Sequence, residues 1–253
     1  MILAVLQARV SSSRFPGKVL APLLGQPMLF RQIERVRRCR EIQDLVVATS
    51  TDPSDDALAE ACGSHGVKVA RGNLNDVLDR FITAATPFNP AAVVRLTGDC
   101  PLADPETIDA VVAHYRSGAF DYVSNVEPAT YPDGLDTEII RMEALTRAHR
   151  DARLQSEREH VTLFIRNHPE IFRRGNIALP ENLSHMRWTV DEPADLVFVE
   201  AVYRELYPSN PAFSLADILD LLRRKPQLAD INAGFERNAG LAKSLAEDKE
   251  VPR

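Results

Sequence analysis

The sequence predicts an α/β fold: a single, mostly parallel mixed sheet flanked by helices. Runs of four to six consecutive apolar residues, apolar without alternation, read as strands buried on both faces. These runs alternate with helical patterns of about ten residues, which requires βαβ crossovers. Each apolar run also opens into a polar turn, and in such sheets ligands bind beyond the strand carboxyl ends, where strand order reverses.

The first strand, 2–6, runs straight into a loop of Arg, Ser, Pro and Gly. That loop sets Arg9, Arg14 and Lys18 among the hydroxyls of Ser11, Ser12 and Ser13, the guanidinium forks, ammonium and short donors that a polyphosphate needs. Residues 19–24 are apolar and broken by Pro22, and Gly25-Gln26-Pro27 starts a helix through Arg40 with Met28, Leu29, Ile33 and Val36 facing inward. A strand over 45–48 ends in Thr49-Ser50-Thr51-Asp52-Pro53, followed by a helix over 54–64, a strand over 67–70 and the turn Arg71-Gly72-Asn73. A helix over 76–85 and a strand over 91–96 lead into Thr97-Gly98-Asp99-Cys100-Pro101-Leu102. The loops after Leu6, Ala48, Ala70 and Leu96 should therefore share one edge of the sheet.

Further on, the pattern gives a helix over 105–116, a strand near Tyr122, an irregular stretch over 131–138, a strand at 139–140 and helices over 142–149 and 157–167. Strands are expected at 171–179 and 185–190, the second running into Asp191-Glu192-Pro193, and helices at 193–206 and 215–223. Residues 1–240 read as one domain and 241–253 as a charged tail with a frayed end.

A net charge of −6 offers no broad field for nucleic acid or an anionic membrane. Three cysteines without a C-x-x-C pair argue against a disulfide scaffold and a structural zinc site, which makes reduced cytoplasm the expected location. The apolar run at the start is too short for a signal-peptide core or a membrane span.

The first loop lacks the G-x-x-x-x-G-K-[ST] spacing, and no G-x-G-x-x-G follows the first strand. Asp99 and Asp191 each follow a buried strand, so they are either a pair of Mg²⁺ ligands or helix N-caps. Cys100 reads as a small buried residue rather than a nucleophile, and Trp188 as core. His160 faces an acceptor or lies on a helix surface, and Glu157, Glu159 and His160 make no H-E-x-x-H metal motif. The face formed by Phe198, Val202 and Leu206 is either core or a homodimer contact.

Together the motifs QARxSSSRFPGK (7–18), ATSTD (48–52), DVLDRF (76–81), RLTGDCPL (95–102), YPDGLDTE (131–138) and WTVDEPADL (188–196) resemble the SpsF-like cytidylyltransferases of spore-coat polysaccharide biosynthesis, relatives of the Kdo and acylneuraminate cytidylyltransferases. The resemblance covers 1–207 and implies a Rossmann-like, nucleotide-diphosphosugar-transferase-like fold. It also implies CMP transfer from CTP to a polar acceptor, with release of pyrophosphate. By that resemblance Arg9 and Lys18 grip the triphosphate, with Asp99 as the third catalytic group, and Asp99 and Asp191 hold Mg²⁺. The nucleotide is expected against Gln7, Ala8, Ser11, Arg14, Thr97 and Gly98, with the base read near Ala8, Thr49, Asp52 and Arg71. For the acceptor, a small polar molecule, the candidates are Asp133, Asp136, Glu138, Glu157 and His160. Carboxylates suit hydroxyl or amino groups better than another anion, and Arg141 and Arg158 are near in sequence to neutralise an acid. Pro132-Asp133-Gly134 also reads simply as a tight turn. A sugar-1-phosphate nucleotidyltransferase would share the loop and the Gly-Asp turn, and a silent nucleotide-binding domain would not need both carboxylates.

Overall fold

In chain order the elements of the computed structural model are β1 (Ile2–Gln7), the short hairpin β2 (Pro22–Leu23) and β3 (Gln26–Pro27), α1 (Met28–Val36), β4 (Asp44–Ser50), α2 (Asp56–Ser64), β5 (Lys68–Gly72), α3 (Val77–Ala85) and β6 (Ala92–Thr97). There follow α4 (Pro105–Ser117), β7 (Tyr122–Ser124), β8 (Glu138–Arg141), α5 (Met142–Asp151), α6 (Gln155–Glu159), α7 (Leu163–Asn167), β9 (Arg174–Asn176), α8 (Pro193–Leu206), α9 (Leu215–Arg224) and α10 (Ala239–Ala246). All residues are described except Ser13, Glu236, Asn238, Pro252 and Arg253 and the side chains of Ala239 and Lys243. The Ser13 hydroxyl and the chain end expected to fray lie outside the described residues.

The main sheet has the order β5-β4-β1-β6-β8-β7-β9. It is parallel except for β8, which runs antiparallel to both neighbours. From β1 the chain steps outward through β4 to β5, then returns to place β6 on the other side of β1. Strand order therefore reverses at β1, and a crevice opens at the carboxyl ends of β1 and β6.

Side chains of β1 alternate between two cores, with Ile2, Ala4 and Leu6 in one and Leu3 and Val5 in the other. In β4, Leu45 and Val47 face the first core and Val46 and Ala48 the second, and β6 divides in the same way. Two-sided burial is why these runs are almost wholly apolar, Arg95 in β6 being the exception. A third cluster joins Leu23 and Met28 to Trp188, Phe198, Val202, Tyr203 and Phe213, so the face of α8 is spent inside the chain. That removes Phe198 and Val202 from any dimer contact.

Where the structure departs from expectation, the cause is local. Helix α1 ends at Val36 rather than Arg40 because the Asp109 carboxylate takes the backbone N–H groups of Arg40 and Glu41, both at 3.0 Å, and turns the chain. The helix expected over 157–167 is two, α6 and α7, parted at Val161, a buried β-branched residue with φ of 52°. The strand at 171–179 shortens to β9. Residues 185–190 form no strand of the sheet; they run beside two loops, with Trp188 N–H donating to Asp133 O at 2.6 Å and Val190 N–H to Asp99 O at 2.7 Å.

Beyond Gly240 the chain is a helix and then an extended stretch against α6, since Gln155 N–H donates to Lys249 O at 2.8 Å and Val251 N–H to Arg153 O at 2.8 Å. Among the described residues no helix is long and apolar enough to cross a membrane.

Candidate active site

The loop after β1 is held from outside. Asp55 accepts Val10 N–H at 2.7 Å while also accepting from Ser50, which ties the loop to the end of β4. Gly17, at φ of 78°, then turns the chain so that Lys18 points inward. On the other side of the crevice, a Cβ on Gly98 would lie 2.9 Å from Ala8 Cβ, so only glycine lets the ends of β6 and β1 approach this closely.

The Lys18 ammonium sits buried at the meeting point of three segments. It donates to Asp191 Oδ1 at 2.8 Å, to Val190 O at 2.7 Å and to Asp99 Oδ2 at 3.2 Å, which uses all three of its protons. Burial alone would depress this ammonium, but the carboxylates of Asp99 and Asp191 outweigh it and its pKa stands above the usual lysine value. Burial likewise works to raise Asp99, and Lys18, Thr97 and Cys100 overcome it, holding the carboxyl at about 2. Arg14 Nη2 lies 2.8 Å and Arg187 Nη2 3.4 Å from Asp191 Oδ2. Neither aspartate caps a helix. Asp104 caps α4, and at α8 the N–H groups of Asp191 and Glu192 both donate to Asp195. The Asp191 carboxylate is thereby left for the cations.

These groups line a cavity of about 580 Å³. Its walls bring together Gln7, Ala8, Arg9, Arg14, Lys18, Thr97, Gly98, Asp99, His160 and Asp191 from the sequence-derived set. Ser12 lines it where Ser11 does not.

Other expected residues lie elsewhere. Thr49 is fully buried, Asp52 accepts Ser54 N–H at 2.9 Å, and Arg71 donates to Ser50 O at 2.8 Å and pairs with Asp56 at 2.6 Å, so Asp52 and Arg71 hold the β4–α2 connection and none of the three lines the cavity. Glu138 is turned into the fold, where it pairs with Arg95 and accepts from Tyr122 Oη at 2.5 Å and Thr162 Oγ1 at 2.7 Å. Glu157 caps α6 through Arg153 N–H at 3.0 Å and Leu154 N–H at 3.1 Å. Both carboxylates are thus taken by the fold, which corrects their reading as acceptor contacts.

Asp133 and Asp136 are outside the lining and face arginines. Arg187 lies 3.5 Å from Asp133, and Arg237 lies 3.9 Å from Asp133 and 2.5 Å from Asp136. Gly134, at φ of 108°, backs onto Trp188 and Thr189 so tightly that a Cβ would meet Thr189 N at 2.5 Å. Pro132-Asp133-Gly134 does form a turn, with Leu135 N–H donating to Pro132 O at 3.1 Å, while the Asp133 carboxylate faces the arginines rather than its own backbone.

The cavity also holds groups that sequence reasoning passed over. Arg80 is 2% exposed, its Nε has no partner, and among the described residues no carboxylate lies within ion-pair distance of it. Burial pushes its pKa down and the charge of Arg9 adds to that, against the weaker pull of Asp55 and Asp76. Two guanidiniums on one cavity, neither of them ion-paired among the described residues, form an anion-seeking wall. Arg95 Nε and His160 Nε2 are likewise buried and unpartnered. The imidazole is kept neutral, because burial depresses its pKa and Arg95 and Arg166 add to that against the pull of Glu159. Asn75, Gln155, Glu159, Ser244, Glu247 and Lys249 also line the cavity. The DVLDRF motif was the signal for Arg80; nothing in the pattern marked the C-terminal residues. Cys100 is buried, and burial and then Asp99 push its thiol well above its usual value, so it supplies no thiolate.

Among known proteins, residues 3–205 match the family model for cytidylyltransferases. The chain is 35% identical to the spore coat polysaccharide biosynthesis protein SpsF of Bacillus subtilis (strain 168), over 90% of this chain and 96% of that one. It is 34% identical to a 3-deoxy-manno-octulosonate cytidylyltransferase of Anaeromyxobacter dehalogenans, over 60% of this chain and 61% of that enzyme. A solved structure of a cytidylyltransferase from Leptospira borgpetersenii superposes with a TM-score of 0.86 at 28% identity, covering 93% of this chain and 99% of that one. The matched residues include the loop after β1, the end of β6 and Asp191, and the chain belongs to the cytidylyltransferase family of nucleotidyltransferase enzymes.

Proposed function

We propose that the protein transfers CMP from CTP to a hydroxyl of a small polar acceptor and releases pyrophosphate, with Mg²⁺ bound at Asp99 and Asp191. The observation that carries this reading is the convergence of Lys18, Asp99 and Asp191 beside the bare guanidiniums of Arg9 and Arg80.

The donor set suits the metal. Two carboxylates from separate loops meet at one point, and a cation, the Lys18 ammonium, already neutralises them there. Among the described residues no third His, Cys, Asp or Glu joins them, which matches Mg²⁺ held by one or two carboxylates, with water and phosphate oxygens completing its shell. When bound, the metal would neutralise charge on the phosphate oxygens.

The chain's own groups do the rest. Arg9 and Arg80 attract and orient the triphosphate, and Arg14 and Lys18 add fixed positive charge at the crevice. The acceptor oxygen forms its bond to the α-phosphorus as the bond to pyrophosphate breaks, and no covalent enzyme intermediate is needed. Of the acceptor residues expected from sequence, His160 is the one on the cavity, and Gln155 and Glu159 beside it extend that end.

Pyrophosphate release measured with CTP, UTP, ATP and GTP across a panel of sugar acids, amino sugars and sugar phosphates tests the reading. CTP should be preferred, and the product should carry CMP. An NDP-sugar product would instead select the sugar-1-phosphate transferase.

A further inference from the structure

The C-terminal segment enters the cavity from beyond residue 205, where the match to the family model ends. Ser244, Glu247 and Lys249 line the same cavity as Arg9, Lys18 and Asp99. Specific bonds fasten this segment. Asp248 accepts from Ser156 N–H at 3.0 Å and Ser156 Oγ at 2.6 Å, and Ser244 Oγ donates to Glu159 Oε2 at 2.9 Å. Asp248 faces α6 while the residues on either side of it line the cavity, an alternation expected of extended chain.

We propose that this segment is the acceptor-selecting wall of the site, and that Glu247 and Lys249 bind the acceptor directly. The proposal rests on the cytidylyltransferase reading and adds where acceptor choice is made. The segment lies on the α6 side of the cavity, next to Gln155, Glu159 and His160, while the cations suited to phosphate belong to the first loop and α3. Glu247 and Lys249 are exposed, and neither has an ion-pair partner among the described residues, so both heads are available to a ligand. Carboxylate, amide, hydroxyl, imidazole and ammonium are mixed at this end, and among the described residues no Phe, Tyr or Trp lines the cavity. That mixture recognises a hydroxyl-rich, sugar-like acceptor by hydrogen bonds and offers no ring on which a flat acceptor could stack. Enzymes that share the phosphate chemistry within 3–205 can differ in acceptor through this wall.

The test compares the full-length wild type with the double variant E247Q/K249A and with D248A, which releases the segment from Ser156. CTP binding is measured by calorimetry with Mg²⁺. Pyrophosphate release is followed with Kdo, N-acetylneuraminate, glucosamine, glucose 1-phosphate and glycerol 3-phosphate. For the best acceptor, KM should rise about tenfold or more in both variants, with the CTP Kd within about twofold of wild type. An unchanged acceptor KM overturns the proposal, as does a CTP Kd that rises in step with it. A wild type that binds CTP yet turns over none of the panel overturns the hydroxyl-rich acceptor class. A wild type that fails to bind CTP overturns the cytidylyltransferase reading instead.

Discussion

The Lys18 ammonium donates to Asp191 Oδ1 at 2.8 Å, joining the first loop of the chain to a segment that follows the last strand of the sheet. Asp99 is held by the same nitrogen at 3.2 Å, so three residues distant in sequence form one charge cluster.

Replacing Asp99 or Asp191 by Asn should cut CTP-dependent turnover by about 100-fold or more, through loss of metal and phosphate stabilisation. Circular dichroism should show the fold retained. Near-normal Mg²⁺-dependent rates in both variants would remove the metal assignment. Lys18→Ala should lower the rate for every NTP by a similar factor, and a selective change in CTP-over-UTP preference would contradict its role on the phosphates.

Arg80 supports a sharper expectation, because function and stability should move in opposite directions. Its buried guanidinium lacks a carboxylate partner, a costly state that an apolar side chain of similar length avoids. Arg80→Met should keep or raise Tm while raising the CTP KM by about tenfold. A lower Tm with unchanged KM would make Arg80 a structural residue.

Glu157 should matter to folding and not to the acceptor. Its carboxylate holds the N–H groups of Arg153 and Leu154, and removing such a cap costs about 1 kcal/mol. Glu157→Ala should lower Tm by a few degrees in a thermal melt and leave acceptor KM within about twofold of wild type.

Asp136 should give stability a pH dependence. Burial lifts its carboxyl from 3.8 to about 7; Arg237, the next largest influence, and Arg95 oppose the rise, whereas Asp133 and Glu138 reinforce it. Because the folded state holds this proton longer than the unfolded chain, its contribution is full below pH 3.8 and is lost as pH rises towards about 7. Asp136→Asn should flatten the fall in Tm across that window. An identical Tm–pH profile in the variant would rule the group out.

The sheet was legible because burial on both faces leaves little room for polar residues, the Arg95–Glu138 pair apart. The runs at β1, β4 and β6 could hardly be anything else. Asp99 and Asp191 were legible as candidates since each follows such a run, but their meeting through Lys18 depends on how distant loops cross. The break at Val161 was invisible, because a β-branched residue with φ of 52° contradicts its local preference and is held there by the surrounding fold. Residues 185–190 looked like a strand because extended chain bonded to two loops carries the same apolar pattern as a ladder. Thr49, Asp52 and Arg71 sit at strand ends much as Asp99 does, yet Thr49 is buried in β4 and Arg71 is turned onto the Asp52 carbonyl and Asp56. Charges at the C-terminus looked solvated, and only the Ser156–Asp248 bonds reveal a fixed wall.

The bridging of Lys18 to Asp191 also sets an order of events during synthesis. A chain emerging from the ribosome exposes the first loop early, but the carboxylate that neutralises its buried ammonium is made only after β6, β8 and α7. Leu23 and Met28 likewise wait for Trp188 and Phe213 to cover them. Domains fold as units, so a nascent chain halted before residue 188 can pair β1 with β4 and β6 yet must leave Lys18 in water and the β2–β3 hairpin uncovered. Such a chain also lacks the second carboxylate of the cluster, so the crevice is completed only when residues 188–191 have been made.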